Sequence, residues 1–261
     1  MTRDGETTNG RNGAPKKVPG KEALRPPLPK RFYKSTAVEA REQGFAVLLD
    51  GRGIRTPAKR ALVVPVQALA EAVAAEWDAQ GTHVDPATMP LTRLVNVAID
   101  AVEDRKAEVA DDIVAFAGSD LICYRAEQPA ALVRRQAEAW DPVLAWAKRD
   151  LGADLRLRAG LMPIEQPPVA LEAVRGALAG TDALSLAALH VLTTIGGSAI
   201  VAIAHWHERL TVEEAWTAVT VDETWQREQW GRDAEAEAHA ALRRAEFEAA
   251  SRCLRFLRSR R

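Results

Sequence analysis

The spacing of apolar residues changes once along this chain, near Pro65. Residues 31–65 contain short strand-like runs, and residues 45–49 lead into Asp50-Gly51, which favours a hairpin because both turn residues tolerate positive φ. After Pro65 the apolar residues recur at the i, i+3, i+4 spacing of helices. Several short antiparallel strands need a partner face to be stable. The sequence therefore predicts an α+β fold, with a small antiparallel β-rich N-terminal domain followed by a larger all-α domain.

We expect three segments within this plan: residues 1–30 as a disordered basic tail, residues 31–85 as a β-rich N-terminal domain with one helix, and residues 86–261 as a helical C-terminal domain. The first 31 residues hold five of the 14 prolines, and they contain eight basic residues but only three acidic ones. A segment with so few apolar groups cannot offset the entropy of ordering. It also lacks the apolar region of a secretory signal, and its acids and prolines argue against a transit peptide.

Helical periodicity predicts a series of helices after Pro65. Pro142 predicts a kink or break in one of them. Thr211…Glu214 and Thr220…Glu223 both have the S/T-x-x-E form of a capping box. The predicted helices cover residues 66–80, 91–98, 103–117, 129–150, 168–179, 183–207 and a long final segment around 236–257.

Composition excludes several classes of protein. The 261 residues carry a formal net charge of −1, which gives no general attraction to nucleic acid or to an anionic membrane. The apolar stretch at 183–204 is interrupted by polar residues and glycines, so we expect no stable membrane insertion. Two distant cysteines, Cys123 and Cys253, cannot form a disulfide framework, and a reducing compartment such as the cytoplasm fits best.

The common catalytic and cofactor motifs are absent from the sequence. Neither G-x-x-x-x-G-K-[ST] nor G-x-G-x-x-G occurs, so we expect no nucleotide. His205 and His207 would point about 200° apart on a helix, which is unsuited to a shared metal. No G-x-S-x-G elbow is present, and Cys123 lies between apolar neighbours as an inert thiol. We expect no catalytic residue and no cofactor, with a hydrolase or transferase site between the domains as the alternative.

The tryptophans point to one surface. The chain has seven Trp against two Tyr, and Trp225 and Trp230 stand among charged residues. Glu223, Gln226 and Trp230 follow i, i+3, i+7 spacing, which places them on one helix face. An indole bordered by polar groups suits a domain seam or a protein-binding surface. Residue types alone favour a different role for Glu223, as the third residue of the capping box that Thr220 begins.

A set of short stretches along residues 31–256 resembles, in order and spacing, the family of assembly chaperones for the α subunit of the catalytic head of ATP synthase, found in mitochondria and related bacteria. These stretches are Arg31-Phe32-Tyr33, Leu49-Asp50-Gly51-Arg52, Arg55-Thr56-Pro57, Val64-Pro65, Glu76-Trp77-Asp78-Ala79-Gln80, Met89-Pro90-Leu91-Thr92, Asp120-Leu121-Ile122-Cys123-Tyr124-Arg125, Trp140-Asp141-Pro142, Leu210-Thr211-Val212-Glu213-Glu214-Ala215 and Glu223…Gln226…Gln229-Trp230-Gly231.

The resemblance implies a chaperone without enzymatic activity, which binds the unassembled α subunit without nucleotide and masks its β-facing surface. The family carries a functionally important acid in the segment matched by Glu223. The resemblance implies that nucleic acid is not a partner. A nucleic-acid adaptor that binds through the basic tail is a weaker alternative, because the rest of the chain carries a net negative charge. Relatives of this kind act in the bacterial cytoplasm or the mitochondrial matrix. The expected partner-binding residues are Glu223, Gln226, Trp230 and Asp233, and the expected structural residues are Trp77, Asp50, Gly51 and Gly231.

Overall fold

The computed structural model of the chain describes residues 27–160, 162–231 and 233–258. Residues 1–26 of the predicted tail lie outside this part. The end of that segment runs beside residues 82–84, where the Val84 N–H donates to the Pro29 carbonyl oxygen at 2.9 Å. The described residues form ten α-helices and a small antiparallel sheet at the N-terminal end. The predicted α+β fold is confirmed.

The N-terminal sheet is built around its second strand, whose residues from Ala46 to Leu49 are buried. That strand pairs antiparallel with the first on one edge and with the third and fourth on the other. The predicted hairpin joins the second and third strands, with positive φ at Asp50 (47°) and Gly51 (77°). The strands are β1 (Thr36–Arg41), β2 (Gly44–Leu49), β3 (Arg52–Gly53) and β4 (Val63–Val64).

The helices follow the predicted order. Two of them continue into π-helical turns, Ala98–Val102 and Ala147–Leu151, and the helix that contains Pro142 continues through it without a break. A short parallel pair, β5 (Tyr124–Arg125) and β6 (Arg158–Ala159), lies between helices. The helices are α1 (Gln67–Asp78), α2 (Pro90–Val97), α3 (Lys106–Gly118), α4 (Ala130–Trp146), α5 (Pro168–Ala177), α6 (Ala183–Gly196), α7 (Ala199–Trp206), α8 (Val212–Val219), α9 (Val221–Trp230) and α10 (Ala234–Arg258).

The predicted single helix over residues 183–207 is wrong, because two helices, α6 and α7, occupy this stretch. Gly197 adopts a left-handed conformation (φ 66°) that ends α6, as glycine does at many helix ends. Ser198 then begins α7, its hydroxyl accepting a hydrogen bond from the Val201 N–H at 3.0 Å.

One apolar cluster joins the sheet to the helices. It includes Val47 and Val64 from the sheet, Leu69 from α1 and most of α6. α6 packs against α2, α3, α7 and α10, so it lies at the centre of the helical part. The division into domains at residue 85 stays a prediction.

The segment Glu76-Trp77 connects α1 to its surroundings on both sides. The Glu76 carboxylate accepts hydrogen bonds from the backbone N–H groups of Leu91 and Thr92, each at 2.8 Å, at the beginning of α2. Trp77 packs edge-on against Tyr33, with ring centroids 5.6 Å apart, and the Tyr33 hydroxyl donates to its carbonyl oxygen at 2.6 Å. This carboxylate therefore satisfies orphan donors at a helix start, and the indole anchors α1 against the N-terminal strands.

Asp120 performs a similar task in the helical part, where it is completely buried. Its carboxylate accepts hydrogen bonds from the N–H groups of Ile122 (3.3 Å) and Ile200 (3.0 Å). Burial raises the pKa of Asp120 to about 6, and these hydrogen bonds oppose that shift. Burial also raises the pKa of the nearby Cys123 thiol to about 12, consistent with the inert role predicted for it.

We expect Asp120→Ala to destabilise the protein by about 3 kcal/mol or more, because several buried donors would lose their acceptor. Asp112→Ala is the matched control, since the Asp112 side chain is 69% exposed. Chemical denaturation should show a large decrease in the free energy of unfolding for Asp120→Ala and almost no decrease for the control. Equal stability of the two variants would contradict this account.

His205 is a second buried polar residue that joins helices. The ring lies between the Leu210 carbonyl oxygen (2.9 Å from Nδ1) and the Ser251 hydroxyl (2.8 Å from Nε2). Since a carbonyl can only accept, Nδ1 carries the hydrogen and Nε2 accepts from Ser251. Burial lowers the pKa of His205 below its ordinary value of 6.5.

The unfolded chain therefore takes up a proton at His205 near pH 6.5 while the folded chain does not. The contribution of His205 to the free energy of unfolding is therefore fully present above pH 6.5 and is lost as the pH falls below 6.5. We expect His205→Gln, which has no such titration, to lose less stability than the wild type between about pH 7 and pH 5. Denaturant titrations at both pH values test this, and identical pH dependence of the two proteins would contradict it.

Candidate functional site

The acid-bearing segment begins at the corner between α8 and α9. The capping box predicted at the start of α8 is confirmed: the Thr211 hydroxyl accepts from the Glu214 N–H at 3.2 Å, and the Glu214 carboxylate accepts from the Thr211 N–H at 2.7 Å. The second predicted capping box is wrong. Thr220 ends α8 with φ −115° and ψ 15°, and its hydroxyl donates back to the Trp216 carbonyl oxygen at 2.7 Å. Glu223 is therefore not needed as a capping acid.

The chain reverses direction between α9 and α10. Gly231 ends α9 with φ 90° and ψ −175°, a conformation that is essentially restricted to glycine. The Asp233 carboxylate accepts hydrogen bonds from the N–H groups of Glu235 (2.8 Å) and Ala236 (3.1 Å). Asp233 thus caps the first turn of α10, a role that the sequence analysis did not assign to it.

A groove of about 440 Å³ lies between α9 and α10. All four predicted partner-binding residues line it. Trp77 and Asp50 lie elsewhere, in a separate pocket of about 500 Å³ beside the N-terminal sheet. The groove is lined by Glu223, Gln226, Arg227, Trp230, Gly231, Asp233, Ala236, Glu237, His239, Ala240 and Arg243.

Trp230 differs from the tryptophans of the core. Its side chain is 88% exposed, whereas Trp140 is fully buried and donates its indole N–H to the Ala218 carbonyl oxygen at 2.7 Å. Trp225 faces away from the groove toward α4, with the Arg135 guanidinium 5.0 Å from its ring centroid. An indole left in solvent at the end of a short helix contributes little to folding, so it is available to another molecule.

Glu223 is held by a residue that the sequence analysis missed. Arg243 Nη1 donates to Glu223 Oε1 at 2.8 Å, and Arg243 Nη2 donates to the Ile195 carbonyl oxygen at 3.2 Å. The Glu223 and Arg243 side chains are 52% and 39% exposed. These partners are 20 and 48 positions away from Arg243 along the chain, so no local pattern could have identified it.

The groove has the chemistry of a binding surface. Acidic, basic and amide side chains surround one large apolar ring, a mixture typical of reversible protein interfaces. The described ranges contain no group of three or more His, Cys, Asp or Glu side chains that could hold a metal ion. Within the same ranges, no helix combines the length and the apolar character needed to cross a membrane.

Comparisons with known proteins show the family to which the chain belongs. A family model described as "ATP12 chaperone protein" matches residues 30–148, a range that ends before the groove. The mitochondrial atp12 protein of Schizosaccharomyces pombe is 28% identical over 221 residues, which cover 78% of this chain and 76% of that protein.

Solved structures match over the whole fold. The Atu1473 protein of Agrobacterium tumefaciens is 47% identical, with a TM-score of 0.84 over 90% of this chain and 88% of that one. Atp12 of Paracoccus denitrificans is 43% identical, with a TM-score of 0.80 over 87% of this chain and 98% of that one. These matches are to chaperones, and they give no support to the alternative of a hydrolase or transferase. The chain belongs to the ATP12 family, and it is a chaperone of ATP synthase assembly rather than an enzyme.

Proposed function

We propose that this chaperone binds the unassembled α subunit of the ATP synthase catalytic head in the groove between α9 and α10. In that position it covers the surface that the α subunit later turns toward the β subunit. The observation that carries this proposal is the 88% exposed Trp230 beside the Glu223–Arg243 pair. The resemblance to α-subunit chaperones, with its important acid in the segment of Glu223, supports the same assignment.

The physical requirements of such a chaperone match the groove. An unassembled subunit exposes an apolar patch larger than monomers usually tolerate, so its holder needs an apolar anchor. Release to the β subunit requires an interface that is modest and partly polar rather than permanent. Trp230 supplies the anchor, since exposed aromatic residues commonly dominate binding energy, while Glu223 and Gln226 supply polar contacts.

Binding and release in this proposal need no ATP. The sequence has neither of the two common nucleotide-binding glycine motifs. Competition by the β subunit for the same surface is then sufficient to free the α subunit, because tighter binding of the two subunits displaces the weaker complex. The two cysteines are free thiols, as expected in a reducing cytoplasm, where we place this bacterial-type chain.

The remaining predicted residues shape the groove. Asp233 caps α10 and fixes the end at which the chain reverses, and Gly231 permits that reversal. Gln226 is exposed on the groove side of α9, where its amide can donate and accept hydrogen bonds. We therefore assign direct contact with the partner to Glu223, Gln226 and Trp230, and a mainly architectural role to Asp233.

We expect Glu223→Lys to abolish binding of the α subunit, because it reverses the charge of the groove wall. Stability should change by about 1 kcal/mol or less, since exposed ion pairs contribute little. Co-purification with isolated α and β subunits measures binding, and thermal melting followed by circular dichroism measures stability.

Glu228→Lys is the matched control for this variant. Glu228 also lies on α9 and pairs with Arg135 at 2.6 Å, but it does not line the groove. It should retain binding. Full binding by Glu223→Lys, or retention of the β subunit rather than the α subunit by the wild type, would refute the proposed function.

We expect Trp230→Ala to weaken α-subunit binding by about 2 kcal/mol, roughly thirtyfold in Kd, as for a typical interface anchor. Its melting temperature should stay unchanged because the side chain is already in solvent. Light scattering of isolated α subunit should show less protection from aggregation. Met162→Ala, which removes a 64% exposed side chain outside the groove, should protect as well as the wild type.

A further inference from the structure

Arg243 lines the groove and also contacts α6 at the centre of the helical part. One arm of its guanidinium donates to Glu223 on α9, and the other donates to the Ile195 carbonyl oxygen on α6. A planar guanidinium can make two such bonds at once in a fixed geometry. Arg243 therefore joins α6, α9 and α10 at one point.

The contact with Ile195 gives Arg243 a fixed position. Ile195 lies in the last turn of α6, where carbonyl oxygens have no partner within the helix and the helix dipole favours a cation. α6 itself is largely buried in the core. The guanidinium is thus fastened to the rigid part of the molecule, although the first two turns of α10 are exposed on most sides.

The contact with Glu223 fixes one oxygen of a carboxylate and leaves the other available. Glu223 Oε1 accepts from Arg243, and the described residues donate no hydrogen bond to Glu223 Oε2. An ion pair that is about half exposed contributes little to stability. The arrangement is better explained by its effect on the orientation of Glu223 within the groove.

We propose that Arg243 is a positioning residue, which holds the Glu223 carboxylate so that its second oxygen accepts a hydrogen bond from a basic side chain of the bound protein. This basic side chain would lie next to the apolar side chain that packs on Trp230. The inference rests on the proposed binding of the α subunit in this groove. The inference adds two points to that function. The recognised surface of the partner has a cationic residue beside an apolar one, and Arg243 is the residue that makes this recognition specific.

A double-mutant cycle tests this inference. Titration calorimetry with isolated α subunit should give at least about tenfold weaker binding for Glu223→Gln, the scale of a lost interfacial charge pair, and a similar loss for Arg243→Met. The double variant should bind no more weakly than either single variant, because both changes remove the same interaction. Each single variant should also show a weaker salt dependence of affinity than the wild type.

Two further variants separate positioning from stability. Arg244→Met is the matched control, since Arg244 neighbours Arg243, has a similarly exposed side chain (40% against 39%) and pairs with Glu213 and Glu248 outside the groove. It should bind like the wild type. Arg243→Lys should recover part of the affinity lost in Arg243→Met, because an ammonium can still pair with Glu223 but cannot reach both partners in the same geometry. If Arg243→Met unfolds, Arg243→Lys replaces it in the double-mutant cycle, where it should bind more weakly than the wild type and no more weakly than Glu223→Gln.

The outcomes distinguish this inference from the proposed function. If the wild type binds the α subunit and Arg243→Met binds equally well, the positioning role is wrong and the proposed function stands. Additive losses in the double variant would likewise overturn the positioning role, because they would mean that Arg243 contacts the partner independently. If the wild type does not bind the α subunit at all, both are wrong.

Discussion

The burial of α6 is the constraint on which the rest of the structure depends. A helix packed on most sides cannot leave its terminal N–H and C=O groups to water, so protein groups must satisfy both ends. At the start of α6, the Asp182 carboxylate accepts from the Ser185 N–H at 3.0 Å. At its end, Gly196 lies so close to Val219 that an added Cβ would stand 2.8 Å from that side chain. Arg243 reaches the last turn from α10.

The groove between α9 and α10 lies next to the end of α6. Arg243 contacts Ile195 at the end of α6 and Glu223 on α9, so it lies where α6, α9 and α10 meet. Large apolar residues in this region are exposed, Trp230 at 88% and Leu242 at 58%. Folding gains little from such residues, whereas a chaperone needs accessible apolar groups that are still too few to cause its own association. The exposed apolar side chains beside the groove therefore fit the proposed binding role better than a role in folding.

Local sequence patterns predicted local structure well and tertiary contacts poorly. Asp50-Gly51 specified its hairpin, and Thr211…Glu214 specified its capping box, because every atom involved lies within a few positions. The same S/T-x-x-E pattern failed at Thr220, where α8 runs directly into α9 and leaves no extended residue to act as the cap. The helical face of Glu223 and Trp230 could be predicted from spacing, but Arg243 could not, because its contacts depend on how α6, α9 and α10 pack.

The hydrogen bonds that a carboxylate accepts within the chain distinguish acids with a structural role from acids that are available to a partner. Glu76 and Asp120 belong to stretches that carry the family resemblance, and both oxygens of each accept hydrogen bonds from backbone N–H groups of the same chain. Their hydrogen-bonding capacity is used in holding helices together. Glu223 is half exposed, and within the described part of the chain only its Oε1 accepts a hydrogen bond, from Arg243. Among the described residues, Glu223 keeps one oxygen without a donor beside an exposed indole, and this combination supports the proposed role of Glu223 in recognising a second protein.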